Sequence, residues 1–167
     1  MSLKLHIAAM AVPVGLAFSG GAVVGPAGNP MPAQQVNTAW LNRQMSALAE
    51  RHSGTGWHVT ASGLRWRQIA GDGRGVRPGA GSRVTVHYAG SFVDGSEFDS
   101  SIARGEPLTF SLDQVIPGWS EGVRLMGVGD KFEFAIPYQL GYGATGRYPI
   151  PGGATLLFTV ELLAVEA

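Results

Sequence analysis

The sequence predicts an α+β fold: an antiparallel β-sheet wrapped over one short α-helix, preceded by an N-terminal amphipathic helix. Three observations carry that reading. Glycine at 25 residues and proline at 10, with no three-residue period, make the chain rich in tight turns. Several segments beyond Gly63 alternate apolar and polar side chains with the two-residue period of half-buried strands. Helical spacing occurs only once in that half of the chain, between Pro117 and Met126.

The length, 167 residues, suits one domain with an appendage better than two domains. Twelve basic side chains balance twelve acidic ones, and 14% of residues are charged against 45% hydrophobic. Neither a highly charged disordered tail nor a protein that coats polyanions fits that balance. The absence of cysteine excludes disulfides, thiolate zinc sites, iron–sulfur clusters and cysteine nucleophiles, and leaves the redox compartment open.

Residues 1–30 read as a cleaved export signal and linker. Lys4 is their only formal charge, Leu5 to Phe18 is largely apolar, and small residues crowd Ser19 to Gly28. Gly20 and Ala22, or Gly25 and Ala27, offer cleavage positions. The apolar run falls short of the roughly 20 residues that span a bilayer, so no stable membrane insertion is expected after cleavage. The product is expected in the periplasm or the medium; the competing reading, a strand or hairpin within the fold, leaves it in the cytoplasm.

Residues 34–54 are expected to carry the helical appendage. Val36 to Arg51 contains no Gly or Pro and places Trp40, Leu41, Met45 and Leu48 along one side, with Asn37 or Thr38 as N-cap and Gly54 as stop. Such a helix is marginal alone, so its apolar side must meet the main domain or a second copy of the chain. A homodimer through this helix is compatible with the pattern.

The main domain is expected over residues 60–167. Leu64, Trp66 and Gln68 alternate against Arg65, Arg67 and Ile69; Val84, Val86 and Tyr88 against Arg83, Thr85 and His87; Phe132, Phe134 and Ile136 against Lys131, Glu133 and Ala135. Thr155 to Leu163 is apolar on both faces and should lie centrally in the sheet. Asp94-Gly95 signals a hairpin with a type I′ turn. Pro117 to Met126 aligns Trp119, Val123 and Met126 on one helix face, with Gly127 placed to end it.

Several catalytic patterns fail on inspection. Gly118-Trp119-Ser120-Glu121-Gly122 matches a nucleophile elbow, but that motif needs a later histidine, and His6, His52, His58 and His87 all precede it. Gly141-Tyr142-Gly143-Ala144-Thr145-Gly146 matches a dinucleotide fingerprint, yet Pro149 and Pro151 forbid the helix that would receive the pyrophosphate. Asp94, Glu97 and Asp99 lack the remaining ligands of a calcium loop. The run Arg65, Trp66, Arg67, Arg74, Arg77, Arg83 reads as a solvated strand face, since zero net charge argues against a nucleic-acid surface. His58 and His87 are too far apart in sequence for a recognisable metal pair and read as surface or packing histidines. No metal, cofactor or nucleic acid is therefore expected.

What remains is an aromatic inventory: Tyr88, Phe98, Phe110, Trp119, Tyr142 and Phe158 come from different elements and can converge. The phrases around them are long. They comprise Val86-His87-Tyr88-Ala89-Gly90, Asp94-Gly95 followed by Phe98-Asp99-Ser100-Ser101, and Val115-Ile116-Pro117-Gly118-Trp119 with Glu121-Gly122. Tyr142-Gly143-Ala144-Thr145-Gly146 and Ala154-Thr155-Leu156 through Val160-Glu161-Leu162-Leu163 complete the set. Together they resemble the FKBP-type peptidyl-prolyl isomerases, and the likeness runs from about Thr60 to Glu166.

The resemblance implies a binding site made of Tyr88, Phe98, Asp99, Phe110, Val115, Ile116, Trp119, Tyr142, Ile150 and Phe158, with Trp119 as its floor. It implies that the Ile116 N–H and the Tyr142 hydroxyl hold substrate carbonyls, and that Asp99 is linked to Tyr88 and Arg104. The implied partners are proline-containing unfolded or extended polypeptides and macrolide-type inhibitors. Leu108 stands where an aromatic wall is common in the family, and Arg147 with a shortened loop to Gly153 replaces the usual rim. Both bear on sequence preference and inhibitor affinity. The rival reading is a chaperone module that holds extended chains in the same pocket without turning them over.

Overall fold

The structure is a computed structural model that describes residues 38–166; the 1–30 segment, Val36 and Asn37 lie outside them. Helix α1 (Thr38–Ala49) leads through a 3₁₀ turn at Ser53–Thr55 into the sheet. In chain order follow β1 (His58–Val59), β2 (Arg65–Ala70), β3 (Arg83–Ser91), β4 (Glu97–Ser100), α2 (Ser101–Arg104) and β5 (Leu108–Ser111). Then come α3 (Pro117–Gly122), β6 (Lys131–Ile136), β7 (Gly146–Arg147), β8 (Ile150–Pro151) and β9 (Leu156–Glu166). The main sheet runs β1-β2-β6-β9-β3-β4, entirely antiparallel, with β5 sharing an edge of β3 with β4; β7 and β8 form a separate hairpin. This is the predicted α+β architecture.

The two-residue period explains the packing. Val84, Val86 and Tyr88 of β3, Phe132, Phe134 and Ile136 of β6, and Leu156, Phe158, Val160 and Leu162 of β9 face one side and are at most 3% exposed. Into that side α3 lays Trp119, and the turn after it adds Val123 and Met126. The doubly apolar β9 pairs with β6 on one edge and β3 on the other, the central place its pattern predicted.

Three local expectations need correction. On α1 the buried residues are Gln44 and Ala47, flanked by half-buried Trp40, Leu41 and Leu48, while Met45 is 67% exposed. The face is centred on Trp40, Gln44 and Ala47, and Met45 sits about 100° around the axis from Gln44. Gln44 is admitted because its polar atoms are satisfied: its Oε1 accepts from the Thr155 N–H at 2.9 Å and its main-chain oxygen from the Thr155 hydroxyl at 3.3 Å. The helix thus rests on its own domain. It also ends at Ala49, short of Arg51, and the imidazole of His52 caps the following 3₁₀ turn.

The second correction concerns the Asp94-Gly95 hairpin. The turn is not type I′, because Asp94 has negative φ; the Gly95 N–H bonds to the Phe92 oxygen at 2.9 Å and Gly95 itself takes φ of 87°. That is a type I turn closed by a left-handed glycine. Third, the helix at Pro117 stops at Gly122 and tightens to a 3₁₀ turn over Val123–Leu125, so Gly127 serves another purpose. Its N–H donates to Asp130 Oδ2 at 2.8 Å.

Asp130 is 1% exposed, and its other oxygen accepts from the Gly73 N–H at 2.9 Å and the Gln68 side-chain amide at 3.2 Å. One carboxylate therefore ties two loops to β2. Asp130→Ala leaves two main-chain donors without acceptors, and should destabilise the fold by about 3 kcal/mol. The check is a urea unfolding midpoint that falls at unchanged m-value.

Candidate active site

The predicted site residues come from many separate places in the chain. Tyr88 lies on β3, Phe98 and Asp99 on β4, Arg104 on α2, Phe110 on β5, and Trp119 on α3. Val115 and Ile116 directly precede α3, Ile150 is on β8, Phe158 on β9, and Tyr142 follows the 3₁₀ turn Tyr138–Leu140. Strand pairing fixes several of these neighbours: Gly90 is opposite Asp99 on one edge of β3 and opposite Phe158 on the other, and Val84 is opposite Phe110.

Three rings meet the indole of Trp119, and a fourth joins them through Phe158. Tyr88 and Phe158 present themselves edge-on to it, with centroids 5.2 Å away in both cases, and Phe110 stands 5.3 Å away. Phe98 reaches Phe158 edge-on at 5.5 Å. These are the separations and angles that favour aromatic pairs. Glycine at position 90 is required for this meeting: a Cβ there would come within 2.6 Å of Phe158 and 2.8 Å of Phe98. Trp119 is 1% exposed, and its Nε1–H finds no acceptor among the described residues. Val115, Ile116 and Ile150 belong to the same apolar cluster.

One charged group enters this apolar setting with full support. The Asp99 carboxylate, 4% exposed as a side chain, accepts from the Tyr88 hydroxyl on one oxygen and from Arg104 Nη1 on the other. Arg104 Nη2 donates to the Tyr88 hydroxyl at 3.0 Å and so closes a ring of three side chains. Local structure makes this reachable. Ser100 caps α2 by accepting from the Ala103 N–H, and the single helical turn returns Arg104 to Asp99, five residues before it. Burial, followed by the bond to Asp99, pushes the Tyr88 hydroxyl above the ordinary tyrosine range. Arg104 is held above its own ordinary value: burial opposes the charge, and the bonds to Tyr88 and Asp99 outweigh it.

Ile116 occupies the N-cap position of α3 in extended conformation, and Pro117 follows at the first helical position. Its carbonyl is used inside the turn, accepting from the Trp119 and Ser120 N–H groups. Its own N–H has no acceptor among the described residues. Burial pushes the Tyr142 hydroxyl up to about 12, with the Arg147 guanidinium acting against that and the Asp99 charge adding to it. It therefore stays a hydrogen-bond donor at every physiological pH.

That shift has a signed consequence for stability. Unfolded, Tyr142 releases its proton near 10.0, while the folded chain keeps it to about 12, so the stabilisation is complete below pH 10 and is lost as pH rises through that window. Alkaline unfolding between pH 10 and 12 should flatten in Tyr142→Phe relative to the parent chain. Chemical denaturation at a series of pH values checks this.

The structure gathers Tyr88, Phe98, Asp99, Arg104, Phe110, Val115, Ile116, Trp119, Ile150 and Phe158 into one buried or half-buried region, with half-buried Tyr142 close enough to feel Asp99. Two neighbours escaped the sequence reading. Phe92 packs against Phe98 with centroids 4.8 Å apart and ring planes tilted by 50°, although its place beside the turn concealed it. Ser101 is fully buried and its hydroxyl touches both Tyr88 and His87, so His87 is not an isolated surface group. Of the two departures, Leu108 is half-buried on β5, and Arg147 is exposed on β7.

A small antiparallel sheet with a cluster of aromatic rings around a helix-borne indole defines a known class of protein. The chain belongs to the FKBP-type peptidyl-prolyl cis-trans isomerase family, whose model matches residues 75–163. Among curated relatives, the FKBP-type peptidyl-prolyl cis-trans isomerase FkpA of Aeromonas hydrophila is 52% identical over 119 residues, 71% of this chain and 44% of that protein. The FKBP-type 22 kDa peptidyl-prolyl cis-trans isomerase of Escherichia coli K12 is 48% identical over 119 residues, 71% of this chain and 57% of its own length. The chain spans about half the length of the curated relatives it matches. Of solved structures, FkpA from Escherichia coli superposes with a TM-score of 0.69 at 39% identity, covering 75% of this chain and 60% of that one. A peptidyl-prolyl cis-trans isomerase from Pseudomonas syringae gives 0.70 at 34% identity, covering 77% and 95%.

Proposed function

We propose that this chain catalyses cis/trans isomerisation of X–Pro bonds in unfolded or folding polypeptides. The observation that carries the reading is the convergence of Tyr88, Phe98, Phe110 and Phe158 around Trp119, with one carboxylate held in their midst by Tyr88 and Arg104.

Rotating an X–Pro bond crosses a barrier of about 18–20 kcal/mol because amide resonance must be broken. No covalent bond has to form. The planar amide is charge-separated and well solvated by water, whereas the twisted one has lost resonance and is less polar. A water-poor aromatic hollow therefore penalises the planar form more, which is differential binding of the transition state. The proline ring would sit on the Trp119 floor within walls of Tyr88, Phe98, Phe110, Val115, Ile150 and Phe158. The Ile116 N–H and the Tyr142 hydroxyl would hold the flanking carbonyls. Asp99 would supply a fixed electrostatic field, with Arg104 keeping its charge in place. Each 1.36 kcal/mol gained in this way is about tenfold in rate, so a few suffice.

A protease-coupled proline-peptide assay on the folded chain tests the activity. Acceleration proportional to protein concentration supports it; an uncatalysed rate with folded protein present overturns it. A macrolide-type inhibitor occupying the same hollow should remove the acceleration, and Leu108 and Arg147 should set its affinity.

We also infer that residues 1–30 direct export to the periplasm or the medium and are then removed, leaving the 34–54 helix and the 60–167 domain as the working protein. Among the described residues no helix is long and apolar enough to cross a membrane. Sequencing the N-terminus of the product made in cells tests the inference: a start beyond Gly20 supports it, and an intact Met1 in the cytoplasm contradicts it.

A further inference from the structure

We propose that Ser101, backed by His87, is a positioning residue for the isomerase site, an inference that rests on the prolyl-isomerase reading above. Along one edge β3 changes neighbours. β5 pairs with it as far as Val86 and β4 begins at Ala89, so beside His87 and Tyr88 that edge has no strand. On the opposite edge both residues are covered by β9. The gap leaves the main-chain N–H and C=O of Tyr88 facing a buried place, where unpaired polar groups are costly.

Ser101 fills the gap with a single atom. Its Oγ accepts from the Tyr88 N–H at 2.8 Å and donates toward the Tyr88 oxygen at 3.3 Å, much as a paired strand would. A third contact, to His87 Nδ1, is 3.0 Å long. Ser101 is fully buried and is the first residue of α2, whose last residue is Arg104. Tyr88 and Arg104 both bond to the Asp99 carboxylate. One hydroxyl thus joins the strand that carries the first to the helix that carries the second.

The proton count shows what His87 adds. A serine hydroxyl has one proton and two lone pairs, and the Tyr88 N–H occupies one pair. With a proton on His87 Nδ1, the imidazole donates to the second pair and the Ser101 proton is free for the Tyr88 carbonyl. With Nδ1 bare, the imidazole and the carbonyl compete for that one proton. The Nδ1–H form is the one that satisfies every group, and an asparagine amide can place an N–H donor at the same point.

The test uses the full chain, with kcat and KM for a proline peptide obtained from NMR exchange, and the Arg104 guanidinium resonances as a reading of the site that needs no turnover. Ser101→Ala should lower kcat about tenfold with KM within about twofold. His87→Leu should lower kcat about threefold, and His87→Asn should recover most of that loss. The Arg104 signals should move in Ser101→Ala and His87→Leu and return in His87→Asn. Parental kcat in Ser101→Ala, equal kcat in the leucine and asparagine variants, or Arg104 signals that stay fixed throughout would each overturn the proposal. If Ser101→Ala does not fold, the two His87 variants decide alone. A parent chain without turnover would refute the activity, and the Arg104 signals would still decide the positioning.

Discussion

Trp119→Ala is expected to produce the largest loss, in stability and in rate together. The indole is 1% exposed and is touched by three other rings, so its removal opens a cavity that the sheet, pinned by β9 at its centre, cannot close. Truncations of this kind cost about 3–5 kcal/mol. Water entering the space would solvate the planar amide of the substrate and erase the difference that drives the reaction. A loss of 2.7 kcal/mol from that difference is about 10²-fold in kcat/KM. Trp119→Phe keeps an aromatic floor and should lose about threefold. Rates compared at a temperature where circular dichroism shows each variant folded separate the two effects.

Asp99→Val should come second. Valine leaves the Arg104 guanidinium, 16% exposed as a side chain, without its carboxylate and the Tyr88 hydroxyl without its acceptor. Breaking a buried pair from one side costs about 3–5 kcal/mol, here toward the lower figure because Arg104 can turn to solvent. On the proposed role of the carboxylate as a source of field rather than contact area, the rate should fall about 10²-fold, chiefly in kcat. Asp99→Asn retains an acceptor for Tyr88 while removing the charge. An intermediate rate in that variant would assign the effect to charge, and a rate equal to the parent's would assign it to shape alone.

Much of this was legible from the residues, and the reasons differ by element. β3, β6 and β9 announce themselves because strict alternation, or apolar residues on both faces, reports burial directly. The helix at Trp119 was visible from three-to-four spacing, but its early end at Gly122 was not, because the tightening follows from packing on β6 and β9. The face of α1 was misjudged at Met45 since hydropathy cannot announce a buried glutamine, and Gln44 is buried only because Thr155, 111 positions away, satisfies it. The hairpin at Gly95 was found although its turn was misassigned: the same dipeptide serves either geometry. At the site, the aromatic residues and Asp99 were legible through the family likeness. Ser101 and His87 were not, because their importance arises where β3 exchanges β5 for β4, a feature of topology that no spacing displays.

The most direct measurement is cis/trans exchange in a proline peptide, followed by NMR with the full chain in H₂O and in D₂O. A mechanism resting on transfer of a strained amide into a dry aromatic hollow predicts exchange that rises with protein concentration and runs at nearly the same rate in both solvents. Exchange no faster than in buffer, or acceleration that drops about threefold in D₂O as a proton-transfer step requires, would contradict it.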